Sequence, residues 1–304
     1  MHRGDLDGLL LLDKPSGPTS HDMVALARRL LGMAKVGHTG TLDPLASGLL
    51  VLLMGKATRL APYIPDDPKV YEGCMLLGLS TDSMDTDGTI TAEGVYDGGP
   101  EKAQGALESL VGEFEQIPPM YSAAKYRGKP LYRYARKGEE VPRKARRVRV
   151  YRSEMKEFRE LGTRAEMHFF IECSPGTYVR DLAARVGDIL GCGGTLSSLR
   201  RLMSGPFRVE EAETPQELEE RIAAGDVHLQ PLELALQGYG RIEVTEAGAQ
   251  AVRNGSPVGE EILKRIDTGI AEGDVVAVFA GGDLLGMHRV LCTSPLASRA
   301  LRMM

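Results

Sequence analysis

GHTGTLDPLASGLLVLLMGKATR, residues 37–59, sets one acid, Asp43, between a glycine-threonine run and an apolar segment that meets no charge until Lys56. Read locally, Asp43-Pro44 ahead of LASGLL fits a helix N-cap followed by proline at the first helical position. The same carboxylate, left free of backbone N–H groups, is available for chemistry. Spacing alone favours the cap, and both readings stay open at this point.

Working outward, the chain has 304 residues, 42% hydrophobic and 26% charged, enough for one large domain with a smaller one. Its N-terminal stretch MHRGDLDGLLLLDKPSGPTSHD lacks the basic-then-apolar layout of a secretory signal. The longest apolar run, Leu49 to Met54, is too short to span a bilayer, so no membrane anchor and a cytoplasmic location are expected. Cys74, Cys173, Cys192 and Cys292 form no C-x-x-C pair, and the six histidines show no H-x-x-x-H spacing. No metal is expected, and the four thiols read as small core hydrophobes.

Leu9 to Leu12 reads as a buried strand, followed by the loop DKPSGPTS and a helix from Ser20 that stops at Gly32. VYEGCMLLG reads as a strand. STDSMDTDG resembles a calcium loop, but with Gly88 as its sixth position the twelfth is Gly94 and not glutamate. A solvated acidic turn is the expectation. An amphipathic helix with Ala106, Leu107, Leu110 and Val111 is expected to run to the proline pair at 118–119. Residues 150–174 alternate like paired strands, and GTYVRDLAARVGDILG reads as a turn entering a helix. From about Gly238 short strands and turns predominate, with a Gly-Gly-Asp hairpin at 281–283. The expected organisation is a domain over 1–237 and a small β domain over 238–304.

Net charge is -5, which alone argues against nucleic acid. Yet Lys125 to Arg152 holds twelve basic residues against Glu139 and Glu140, a local +10, leaving about -15 on the rest by difference. Tyr126, Tyr132, Tyr134 and Tyr151 are interleaved with these cations, as in a segment that grips an RNA backbone.

Six motifs in order carry a resemblance: LLLLDKPSGPTSHD, GHTGTLDPLASGLL, KVYEGCMLLG with STDSMDTDG, PPMYSAAKYRGKPLYRYARKG, GTYVRDLA and LSSLRRL. The chain resembles the bacterial TruB-type tRNA pseudouridine synthases, and its C-terminal part resembles a PUA domain. The resemblance implies an α+β fold: a mixed, mainly antiparallel sheet flanked by helices, plus a small β-pseudobarrel. It implies no cofactor, and a monomer acting on the T-arm stem-loop of tRNA.

The resemblance also assigns residues. Asp43 would be the catalytic carboxylate and Arg180 its ion-pair partner. Tyr71 would lie against the flipped uracil and accept or relay the C5 proton. Tyr178 and Leu199 would complete the pocket, and His38 would fill the space the base leaves. Lys14 and Pro15 would support the pocket. Lys125, Arg127, Lys129, Arg133, Arg146 and Arg147 would hold RNA in a clasping segment over 125–152. Two alternatives share these motifs: a tRNA-binding folding chaperone, and the catalytic subunit of a guide-RNA pseudouridylation particle.

Overall fold

The computed structural model describes residues 6–304; the N-terminal reading that starts at Met1 lies partly outside them. The first half of the chain forms β1 (Gly8–Lys14), α1 (Ser20–Leu31), β2 (Val36–Thr39), β3 (Ala46–Met54), β4 (Lys69–Leu77), β5 (Leu79–Thr81), β6 (Ile90–Glu93), α2 (Gly99–Glu108) and β7 (Gly112–Gln116). Next come β8 (Lys125–Tyr126), β9 (Lys129–Pro130), α3 (Leu131–Ala135), β10 (Arg146–Leu161), β11 (Arg164–Cys173), α4 (Val179–Leu190), β12 (Gly194–Ser204), β13 (Phe207–Arg208) and α5 (Pro215–Ala223). The C-terminal part holds β14 (Gly240–Val244), α6 (Glu246–Arg253), β15 (Leu263–Ile266), β16 (Val275–Ala280), β17 (Asp283–Thr293) and β18 (Leu296–Met303).

The main sheet runs β1-β3-β12-β4-β11-β10-β7, with β2 also pairing β3 and β13 pairing β12. Only the β3–β12 pairing within it is parallel. The expected mixed, mainly antiparallel sheet is therefore present. A second sheet, β15-β14-β16-β17-β18, forms a separate C-terminal unit whose Gly281-Gly282-Asp283 turn joins β16 to β17 as the sequence indicated.

The stretch that decides the fold is a strand, and the cap reading of Asp43 falls with it. No helix follows Pro44; Ala46–Met54 enters the sheet directly. The reason lies in how β3 is buried. Leu50, Leu52 and Met54 pack with Leu10 and Leu12 on one side, together with α1, α4 and α5. Leu49, Val51 and Leu53 pack with Leu9 and Leu11 on the other, together with Leu60, Leu236, Phe279 and Met287. A strand covered on both faces shows no alternation, so its apolar run is indistinguishable by period from a short buried helix. Gly48 settles the matter locally: its φ is 97° and a side chain there would fall onto the Arg201 carbonyl where β3 meets β12.

The other elements form for readable reasons. In α1, Thr19 accepts from the Asp22 amide at 3.1 Å while Asp22 Oδ2 accepts from the Thr19 amide at 2.8 Å, and Gly32 at φ 65° ends the helix. Helix α2 stops at Glu108, short of the prolines, and Gly112–Gln116 pairs instead with β10. Val111 is correspondingly 50% exposed, whereas Ala106, Leu107 and Leu110 are buried. The basic segment is divided: its first part is a short hairpin and α3, but Arg146 onward belongs to β10.

Candidate active site

Strand β3 is flanked by β1 along its length, by β12 at its start and by β2 at its end. The chain that joins β2 to β3, residues 40–45, crosses the point where one neighbour gives way to the other. Asp43 stands in this crossing. Ser20 Oγ donates to the Leu42 carbonyl and accepts from the Leu42 amide, both at 2.8 Å. The Gly17 amide reaches the Pro44 carbonyl at 2.8 Å, and Ser16 Oγ reaches the Leu45 carbonyl at 2.9 Å.

Lys14 is fully buried beneath the turn, with Nζ donating to the carbonyls of Pro15 at 2.9 Å, Pro18 at 2.7 Å and Pro44 at 3.4 Å. Burial pushes its ammonium down to about 8, more than the nearby Asp43 carboxylate pulls it up. Lys14 and Pro15 thus brace the loop from below and do not line the cavity above it.

Arg180, the second residue of α4, ties two carboxylates together. Its Nε lies 2.9 Å from Asp43 Oδ2, and its Nη1 lies 3.2 Å from Asp85 Oδ2. The Asp43 contact is an ion pair without hydrogen-bond alignment of the Nε–H. Nη1 also donates to the Ser83 carbonyl at 2.9 Å, and Nη2 to the Tyr121 carbonyl at 2.7 Å. The exposures separate the two acids. The side chain of Asp43 is 37% exposed, against 7% for Asp85 and 4% for Arg180. Asp43 faces the cavity while Asp85 holds the arginine from behind.

Burial raises the pKa of Asp43, and the Arg180 guanidinium is the main influence opposing that rise; Asp85 adds to the rise and Lys14 opposes it. The carboxylate is partly desolvated, and among the described residues no backbone donor bonds to it.

A cavity of about 580 Å³ opens over Asp43, lined among others by Tyr71, Tyr178, Leu199, Lys69, Lys125 and Arg146. Tyr71 is buried on β4, facing the core side with Ile171 of β11 opposite it. Burial pushes its phenol up to about 12, with Arg201 pulling the other way. Tyr178 caps the start of α4, where Gln116 Oε1 accepts from its amide at 2.8 Å and Gln116 Nε2 donates to its carbonyl at 3.0 Å. Five of the residues assigned to the pocket thus meet here: Asp43, Arg180, Tyr71, Tyr178 and Leu199.

His38 does not line this cavity. It sits half-buried on β2, opposite Leu52, and its Nδ1 is buried without a hydrogen-bond partner. Burial, with Arg201 next in weight, lowers its pKa and favours the neutral ring. Of the six basic residues assigned to RNA, Lys125 and Arg146 reach the cavity rim, while Arg127, Lys129, Arg133 and Arg147 are exposed beyond it. Among the described residues, only Arg147 of the six has an ion pair, with Glu113 at 3.7 Å.

Sequence reasoning passes over three participants. The solvated acidic turn hides Asp85, yet this residue is buried and bonded to Arg180, with Ser83 Oγ donating to its Oδ1. Arg201 is buried, donating from Nε to the Leu49 carbonyl at 2.7 Å and from Nη2 to the Gly40 carbonyl at 3.0 Å. Lys69 is buried and paired with Asp66 at 3.0 Å. For Arg201 the second arginine of LSSLRRL is the available signal; nothing local distinguishes Asp85 from Asp82 or Asp87.

Comparison with known proteins gives this arrangement a class. A model of the TruB family pseudouridylate synthase N-terminal domain matches residues 28–179, and a model of the tRNA pseudouridylate synthase B C-terminal domain matches 180–237. The fold and matches together define a pseudouridine synthase, an isomerase. Within that class, the chain belongs to the TruB family. It is 47% identical over 257 residues to a tRNA pseudouridine synthase B of Geobacillus kaustophilus, covering 83% of this chain and 90% of that one. A relative of the same name from Azoarcus sp. is 43% identical, covering 93% and 90%. Among solved structures, an H/ACA RNP bound to a substrate RNA containing 2'-deoxyuridine superposes with a TM-score of 0.71 at 26% identity, covering 97% of this chain and 84% of that one. A Cbf5-Nop10-Gar1 complex gives 0.72 at 28%, with coverage of 97% and 84%.

Proposed function

We propose that this chain converts a uridine in the T-loop of tRNA to pseudouridine, in the cytoplasm and as a monomer, using Asp43 on a base flipped out of its stack. The observation that carries the reading is the Asp43 carboxylate, held by a buried arginine at the floor of a cavity walled by Tyr71, Tyr178 and Leu199. The names of the relatives supply tRNA as the substrate.

The reaction breaks the C1'–N1 bond and forms C1'–C5; C5 loses a proton and N1 gains one, so no atom or electron is left over. A desolvated carboxylate beside C1' attacks the sugar, takes a proton from C2', or stabilises positive charge at C1'. Arg180 keeps that carboxylate ionised and aimed. Tyr71, neutral at working pH because burial pushes it up to about 12, packs on the uracil and relays the C5 proton through its hydroxyl. Leu199 supplies an apolar wall and Tyr178 a hydroxyl. His38, neutral and outside the cavity, occupies the space the extruded base leaves.

The cations Lys125, Arg127, Lys129, Arg133, Arg146 and Arg147 grip the phosphates of the stem. Residues 1–237 form the catalytic domain and 238–304 a PUA-like RNA-binding domain. That division is supported by the C-terminal family match ending at 237 and by the second sheet starting at Gly240. The identity of 47% to a protein named tRNA pseudouridine synthase B, against 26–28% to chains from an H/ACA RNP and a Cbf5-Nop10-Gar1 complex, favours action without a guide RNA.

The test is direct. Purified protein alone, mixed with a T-arm stem-loop, should form one pseudouridine at the T-loop position. A product that forms only when a further protein or a guide RNA is added would sink the proposal.

A further inference from the structure

On the sheet face turned away from the Asp43 cavity, β4 and β11 bring together three side chains that are far apart in sequence. Cys74 is the direct cross-strand partner of His168, and Glu166 stands two residues from His168 on the same face of β11. Tyr71, Met75, Met167 and Phe169 occupy the alternate positions and point into the core. One ligand-capable atom from each of Cys74, Glu166 and His168 lies within 4.8 Å of the other two.

We propose that Cys74, Glu166 and His168 bind a divalent metal of the zinc class. Three observations converge. The donor set of one thiol, one imidazole and one carboxylate suits zinc and not the oxygen-seeking magnesium or calcium. His168 Nε2 is buried and has no hydrogen-bond partner, an arrangement that a metal would satisfy. The mutual spacing is also close to what is needed. Tetrahedral zinc with bonds of about 2.0–2.3 Å sets its ligand atoms roughly 3.3–3.8 Å apart, so side-chain rotation of about 1 Å completes the site.

The surroundings agree. The thiol lies 3.7 Å from the Met75 carbonyl, a weak sulfur contact. Glu157 of β10 is the cross-strand neighbour of His168 on its other side. Its own charge is shared with Arg159 at 2.7 Å. A cavity of about 510 Å³ reaches His168, with Glu72, Lys156 and Glu157 also in its lining. The spacing of cysteines and histidines along the chain points away from zinc because the ligands are joined by strand pairing and not by a local motif. Bound metal would cross-link β4 to β11 three residues from Tyr71.

The full-length protein, reduced and stripped with EDTA, can be titrated with Zn²⁺ against a chromophoric chelator and with Co²⁺ by absorption. One metal per chain is expected, with a thiolate-to-cobalt charge-transfer band. Cys74→Ala should abolish the band and weaken Zn²⁺ binding about tenfold or more. His168→Gln, at a half-buried position, should weaken Zn²⁺ binding similarly yet keep the band. Cys292→Ala should change neither. A wild-type protein without a one-to-one site, or binding unchanged in both Cys74→Ala and His168→Gln, overturns the proposal whether or not the protein forms pseudouridine.

Discussion

Arg180 Nε stands 2.9 Å from Asp43 Oδ2, and the arginine is almost wholly buried while the aspartate opens onto a cavity. A buried cation at the edge of a polar cavity is costly unless neutralised. Here it is neutralised on two sides, by Asp43 and by Asp85.

Burial raises the pKa of Asp43 and Arg180 opposes the rise. If the reactive form is the carboxylate, activity is lost as pH falls, and lost at higher pH than for a solvated aspartate. The acid limb of kcat/KM should therefore lie above the ordinary aspartate range. Arg180→Met should move it further up, and Arg180→Lys should restore part of the difference. A limb unmoved by both variants contradicts the assignment of Arg180.

Asp85 does not line the cavity, and its link to the site is the contact with Arg180 Nη1. Asp85→Asn should lower kcat on the order of 10²-fold, as small displacements of reacting groups do, with KM little changed. It should also cost about 1–3 kcal/mol of stability, the scale for a buried charged hydrogen bond. The Asp85 and Arg180 variants should be strongly non-additive in a double-mutant cycle. Additive losses would show that the pair does not work as a unit.

How much of this is legible in the sequence varies by residue. The strands around Leu9–Leu12 and Val70–Gly78, helices α1 and α4, and the paired strands β10 and β11 announce themselves by period, caps and turns. β3 does not, because a strand covered on both faces loses its alternation, and a proline after an acid imitates a helix start. Asp85 is invisible for another reason. Its burial is made by contact with Arg180, ninety-five positions away, and by Ser83 and Thr81 in its own turn. Arg146 and Arg147 read as loop cations because charge hides the strand period that Val148 and Val150 supply.

Tyr71 has its phenol pushed up to about 12 and therefore remains protonated across the working range. Tyr71→Phe keeps the ring and removes the hydroxyl. Turnover should fall by more than about 10²-fold, the scale for loss of a positioned proton-transfer group, with RNA affinity retained. Full activity in the phenylalanine variant would assign the ring to packing alone.

The exposed cations should show their role in salt dependence. Replacing Arg127, Lys129 or Arg133 with alanine should weaken RNA binding and flatten the slope of log K against log salt by about 0.7–0.9 for each phosphate no longer neutralised. Turnover at saturating RNA should be unaffected. An unchanged slope would leave these residues outside the RNA interface.

The decisive comparison is between the wild-type protein and Asp43→Asn on one T-arm stem-loop, with pseudouridine and RNA binding measured in parallel. Asp43→Asn removes the charge but keeps the size and the place in the loop. Wild-type protein should form pseudouridine, and the variant should bind the RNA with similar affinity while forming none above background. Turnover by Asp43→Asn at the wild-type rate would contradict the catalytic role of this carboxylate.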